Sequence, residues 1–208
     1  MKIALINASP KPSHSGSGNL MKALEKDFPK SADVRCFDFH KKEISEETLY
    51  ELYKTDAWVI FTPLYVDALP SHLLNCLVQI QQSKPKKKIN IYGVINCGFY
   101  EGEQTETAFE VLENWCTRCG FEFCGGIGIG GGGMLSAVPK LEDKKHTKIG
   151  VLIEFKSFAR KIAKGNGYPV HFTSVTTPRA IYKVGAEATW RIQVRKNGNK
   201  LKDLGKKY

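Results

Sequence analysis

At 208 residues, with 42% apolar and 25% charged side chains, the chain is long enough to bury a core without disulfides or a structural metal, and too apolar for wholesale disorder. No run approaches eighteen apolar residues, which excludes a transmembrane helix. Net charge is +10 but uneven: residues 1–139 hold 14 basic and 16 acidic residues, and residues 140–208 hold 17 and 5, so attraction for acidic partners belongs to the last third.

Only four apolar residues follow Met1-Lys2 before Asn7, too few for a signal-peptide core. The six cysteines lie mostly in apolar segments. We therefore expect reduced thiols and a cytoplasmic protein. Residues 2–8 predict a first strand, and the Ser/Gly-rich stretch 9–19 a loop. Leu20, Ala23, Leu24 and Phe28 recur at helical spacing. Residues 34–39 alternate like a strand, and Ser45 opens a short helix with Glu46 and Glu47 in its first turn. Residues 57–61 are nearly all apolar, as in a parallel strand covered on both faces. A helix is expected from about Pro70, carried by Leu73, Leu74, Leu77 and Ile80.

Residues 89–96 predict the fourth strand, residues 105–119 a helix stopped by Gly120, and residues 121–129 the fifth strand. A glycine run, Gly130 to Gly133, leads to Met134, and a last core helix is expected over about 146–164. The glycines allow either close approach of a ligand or a flexible connection. Five short strands alternating with helices of ten to fifteen residues indicate βαβ units and a parallel sheet. After the break at residues 165–169, a helix is expected over 179–196, with Ala180, Ile181, Val184, Ala188 and Ile192 as its apolar stripe.

In parallel sheets, ligands bind beyond the carboxyl ends of the strands. That rule selects loops 9–19, 62–70 and 96–104. The hydroxyls of Ser9, Ser13, Ser15 and Ser17 would converge with free backbone N–H groups at a helix N-terminus, an anion site in physical terms. It is neither a Gly-x-Gly-x-x-Gly fingerprint nor a triphosphate loop, and a phosphate monoester suits it better. Cys116-Thr117-Arg118-Cys119 falls near the end of its helix, the wrong end for thiolate activation, so structural cysteines are expected. A metal site is not expected from this spacing.

Asn7-Ala8-Ser9-Pro10-Lys11, together with Ser17-Gly18-Asn19-Leu20, resembles the phosphate loop of the flavodoxin-like NAD(P)H-dependent FMN reductases. Thr62-Pro63-Leu64-Tyr65, with Leu69-Pro70, resembles their loop against the isoalloxazine ring. The resemblance covers roughly residues 1–165. It implies a flavodoxin-like doubly wound α/β fold with a five-stranded parallel sheet of order 2-1-3-4-5, helices on both faces, and FMN as cofactor. It also implies Ser9, Lys11, Ser17, Gly18, Asn19 and Leu20 around the phosphate, and Pro63, Leu64 and Tyr65 bordering the flavin. Asn96, Gly98, Phe99 and Tyr100 stand where the family's third loop meets the ring. The loop is longer than the family pattern by residues 12–16, which leaves the register of Ser13 to Ser15 open. Residues 166–208 are expected as a basic, partly helical extension that packs on the body or on a dimer partner.

By the resemblance, the chain transfers hydride from NADPH or NADH through FMN to a quinone, flavin, nitro compound or similar small acceptor, and it forms a homodimer. No catalytic acid or base is named, since the flavin carries the chemistry. The alternative is a flavodoxin-type electron carrier, against which the lack of net acidity counts. Nucleic-acid binding is not expected, because the basic tail carries no recognised module and few aromatic residues.

Overall fold

The structure, a computed structural model, describes residues 1–132 and 151–205. Six strands, β1 (Lys2–Asn7), β2 (Asp33–Asp38), β3 (Ala57–Pro63), β4 (Asn90–Asn96), β5 (Glu122–Ile129) and β6 (Tyr168–Thr173), form one parallel sheet of order 2-1-3-4-5-6. Among the described residues the helices are α1 (Gly16–Glu25), α2 (Glu46–Tyr53), α3 (Ser71–Gln82), α4 (Glu106–Cys119), α5 (Val151–Ala163) and α6 (Arg179–Lys196). Among the described residues there are also 3-10 turns at Gly102–Thr105, before α4, and at Leu201–Gly205, after α6.

Alternation along the central strands supplies a core on each face. Ala4, Ile6, Trp58, Ile60, Ile91 and Ile95 face α2, α3 and α4, where they meet Leu52, Leu73, Leu77, Leu112 and Trp115. Ile3, Leu5, Val59, Phe61, Tyr92 and Val94 face the other way, against Leu20 and Leu24 of α1 and Phe155, Phe158 and Ile162 of α5. Trp58 is fully buried, and its indole N–H donates to Thr55 Oγ1 at 2.8 Å, so no polar atom is left orphaned. The ends of the helices follow local chemistry. Ser45 Oγ accepts from Thr48 N at the start of α2, and Gly120 closes α4 at φ +71°, a conformation that a Cβ would strain.

The sheet has six strands where the sequence predicts five. The expected order 2-1-3-4-5 is retained, and β6 is added beside β5. After α5 the chain turns at Gly165, φ +69°, and the turn is tied to the sheet by Tyr92 Oη and Asn90 Nδ2, which donate to the carbonyls of Asn166 and Gly165. Tyr168 then packs on the α5 face against Phe158, and Val170 and Phe172 pack on the opposite face, while Pro169 sits on an edge strand, where a missing N–H is tolerated. The first compact unit accordingly runs from Met1 to Val175, past the expected boundary at residue 165. The second unit, Thr176–Tyr208, contains α6, none of whose residues is buried. The expected helix over 146–164 begins, among the described residues, at Val151. Its first residues, and Gly133 and Met134 of the glycine run, lie outside the described residues.

Candidate functional site

Strand order reverses between β1 and β3, which is where a doubly wound sheet opens a crevice at its carboxyl edge. A cleft of about 190 Å³ lies there, lined by Ser9, Lys11, Ser15, Gly16 and Ser17 after β1, by Pro63, Leu64 and Tyr65 after β3, and by Asn96, Gly98 and Gly132.

The first wall is built for an anion. Ser15, extended at φ −90°, caps α1 and accepts from Gly18 N at 3.0 Å. A Cβ at Gly18 would stand 2.9 Å from Ser15 Oγ and push the capping hydroxyl aside. Gly16 and Ser17, in the first turn of α1, whose N–H groups have no intrahelical partner, line the cleft, and the helix dipole there favours negative charge. Ser9, Ser15 and Ser17 are buried, Lys11 is the basic side chain of the lining, and no carboxylate lines it. Buried hydroxyls, free amides and one ammonium match a phosphate monoester. The donor set therefore fits FMN.

The loops are held by asparagines at the ends of their strands. Asn7, the last residue of β1, accepts Ser9 N on Oδ1 at 3.3 Å and donates from Nδ2 to Asp38 Oδ1 at 3.1 Å. Asn96, the last residue of β4, accepts from Ser17 Oγ at 2.8 Å and so links the first loop to the third across the cleft. The second loop returns through a two-residue turn. Tyr65 and Ala68 exchange backbone hydrogen bonds around Val66 and Asp67, both in the left-handed region at φ +50° and +57°. Val66 pays for that geometry in strain, since its branched Cβ is disfavoured there.

Of the residues singled out from sequence, Ser9, Lys11, Ser17, Pro63, Leu64, Tyr65, Asn96 and Gly98 meet at this cleft. Gly18 and Asn19 lie inside α1, and the Leu20 side chain is fully buried in the core, so these three do not line it. Phe99, 51% exposed, and Tyr100 stand on the neighbouring loop outside the lining. Ser15, whose hydroxyl is expected at the anion site, also lines the cleft, as do Gly16 and Gly132. The Ser15-x-x-Gly18 cap was the available signal for the first two, and Gly132 carried none beyond its place in the glycine run.

Nearby nucleophiles are quiet. Cys97 is buried beneath the third loop, donates to the carbonyls of Glu101 and Phe99, and has its pKa raised by burial. Burial also lifts Cys119 to about 11 and raises Cys116 still further, which argues against thiolate chemistry at the Cys116/Cys119 pair. Among the described residues no group of three or more His, Cys, Asp or Glu could hold a metal. Behind the first loop, the His72 imidazole has its pKa lowered by burial, partly opposed by the backbones of Ala8 and Phe39.

No family model matches the sequence, and no curated protein does. Solved structures do. An NADPH-quinone reductase from P.pentosaceus superposes with a TM-score of 0.57 over 76% of this chain and 98% of its own, at 14% identity. A flavone reductase gives a TM-score of 0.60 over 82% of this chain and 66% of its own, at 12% identity. An azoreductase from Bacillus anthracis gives 0.50 over 79% and 99%, at 15% identity. With the strand order, these likenesses establish the fold: the chain is a flavodoxin-like doubly wound α/β protein.

Proposed function

We propose that this protein is an FMN-dependent NAD(P)H oxidoreductase. The observation that carries the reading is one cleft in which a wall of buried serine hydroxyls, helix-terminal amides and Lys11 faces the Pro63-Leu64-Tyr65 segment at the switch point of the sheet. The names of the structural neighbours support the same class of activity, since an NADPH-quinone reductase, a flavone reductase and an azoreductase are among them.

Bound FMN would accept hydride from a nicotinamide donor and pass reducing equivalents to a second substrate. The chain's own part is to bind and orient. Ser9, Ser15, Ser17 and Lys11 would hold the phosphate, and Pro63, Leu64 and Tyr65 would border the ring. Asn96, Gly98, Phe99 and Tyr100 would close its far side. Leu64 is buried whereas Tyr65 and Phe99 are half exposed, so the substrate-facing aromatic surface belongs to the latter two. The reading includes a small-molecule acceptor of the quinone, flavin or nitro class, a homodimer and a cytoplasmic location.

The test is reconstitution with FMN, removal of excess, and anaerobic addition of NADPH and then NADH. Retained flavin absorbance that bleaches with either donor is expected, and the more efficient donor identifies the co-substrate. Retained flavin that neither donor bleaches would favour the electron carrier. Loss of all flavin on desalting would overturn the assignment of the cleft.

A further inference from the structure

We propose that His40, a residue outside the cleft, positions its phosphate end by holding the Ser9 carbonyl outward; the inference rests on the FMN reading above. His40 follows β2 and is not part of the cleft lining. Its Nδ1 lies 2.6 Å from the carbonyl oxygen of Ser9, and its Nε2 lies 3.2 Å from Asp38 Oδ1. A carbonyl can only accept, so Nδ1 is the donor.

The consequence follows from the residue after Ser9. Pro10 has no N–H, so the Ser9–Pro10 peptide has only its carbonyl with which to fix its orientation. A carbonyl turned into the cleft would set a partial negative charge against the phosphate. Turned toward His40, the same peptide leaves the Ser9 hydroxyl at the cleft. That hydroxyl accepts from Lys11 N at 3.2 Å, and its own proton is then the group to offer an anion. The arrangement closes on itself: Asn7 accepts Ser9 N and donates to Asp38, and Asp38 meets His40. The first loop is thus braced from behind on both sides of Ser9, with the His40 side chain holding the carbonyl.

Three substitutions separate this role from simple packing. Asn carries its amide nitrogen as far from Cα as the imidazole Nδ1, and Gln carries one where Nε2 lies. His40→Asn therefore keeps the donor to Ser9 and gives up the contact with Asp38, whose side chain is 61% exposed. His40→Gln keeps the reach toward Asp38 and gives up Ser9. The measurement is the equilibrium affinity of the purified chain for FMN and for riboflavin, which lacks the phosphate, read by quenching of flavin fluorescence. Thermal melting checks that each variant is folded.

His40→Ala is expected to weaken FMN about tenfold, the effect of one good hydrogen bond, and to change riboflavin less than about twofold. His40→Gln should behave like His40→Ala, whereas His40→Asn should stay within about threefold of the wild type. Gln matches the size of histidine better than Asn does, so a packing role predicts the reverse order. That reverse order, equal losses for FMN and riboflavin, or unchanged FMN affinity in all three variants would each overturn the inference while leaving the FMN reading standing. Failure of the wild-type chain to bind FMN would overturn both.

Discussion

The sheet unit and the C-terminal unit both contain a long helix with apolar residues at helical spacing, yet they differ in what those residues do. In α5, Phe155, Phe158 and Ile162 are fully buried against the sheet. In α6, no residue is buried, and Ile181, Val184, Trp190 and Ile192 are more than half exposed. Charge divides the same way: residues 176–208 hold nine basic and two acidic residues, against a net of +3 for the rest. Periodicity therefore marks a helix but does not tell whether it has a partner. The candidate chemistry gathers where strands end, in the unit that has a core.

The largest effect expected comes from setting a buried tryptophan, Trp58, against an exposed one, Trp190. Trp58→Ala should cost about 3–5 kcal/mol, because it empties a fully buried site and strands the polar groups its indole satisfies. Trp190→Ala should stay within about 0.5 kcal/mol in urea unfolding. A comparable loss at Trp190, which is 66% exposed, would mean that α6 is covered in solution.

Next in size, Ser17→Ala removes the donor to Asn96 Oδ1 in a buried position and should cost about 1–3 kcal/mol. It should also weaken FMN more than riboflavin. Ser17→Thr tests the geometry, since it restores the hydroxyl with one added methyl. Smaller still, Ser45→Ala removes the cap of α2, far from the cleft, and should cost about 1 kcal/mol with no change in flavin affinity.

The smallest effect is a pH dependence. His72 has a folded pKa below its ordinary 6.5, so just below pH 6.5 the unfolded chain binds more protons than the native one. Stability should fall as pH drops from about 6.5 toward the lower folded value. Asp56, held down first by the Lys2 N–H and then by Lys87, and Glu51, held down first by Lys54, lose their contribution only at lower pH. Melting temperatures between pH 7 and 5 should thus slope less in His72→Gln than in the wild type.

Much of this was legible in the sequence for physical reasons. The apolar run ending at Phe61 could only be a strand covered on both faces, and Gly120 could only be a helix stop. Ser9, Ser17 and Tyr65 stood out because the ends of strands collect polar and aromatic residues. β6 was hidden by Pro169, which reads as a breaker until its place on an edge is known. The cap residue Ser15 was blurred by the other serines of the loop, and only its extended backbone singles it out. His40 could not have been found: it lies 31 positions from Ser9, and only the pairing of β1 with β2 brings them together.

The most direct test of the central claim is an amide NMR titration of the uniformly labelled chain with FMN. The account predicts shifts concentrated at Gly16, Ser17, Tyr65 and Gly98, which line the cleft from three loops, with the amides of Arg179–Lys196 unmoved. Shifts confined to that basic helix, or none anywhere, would contradict it.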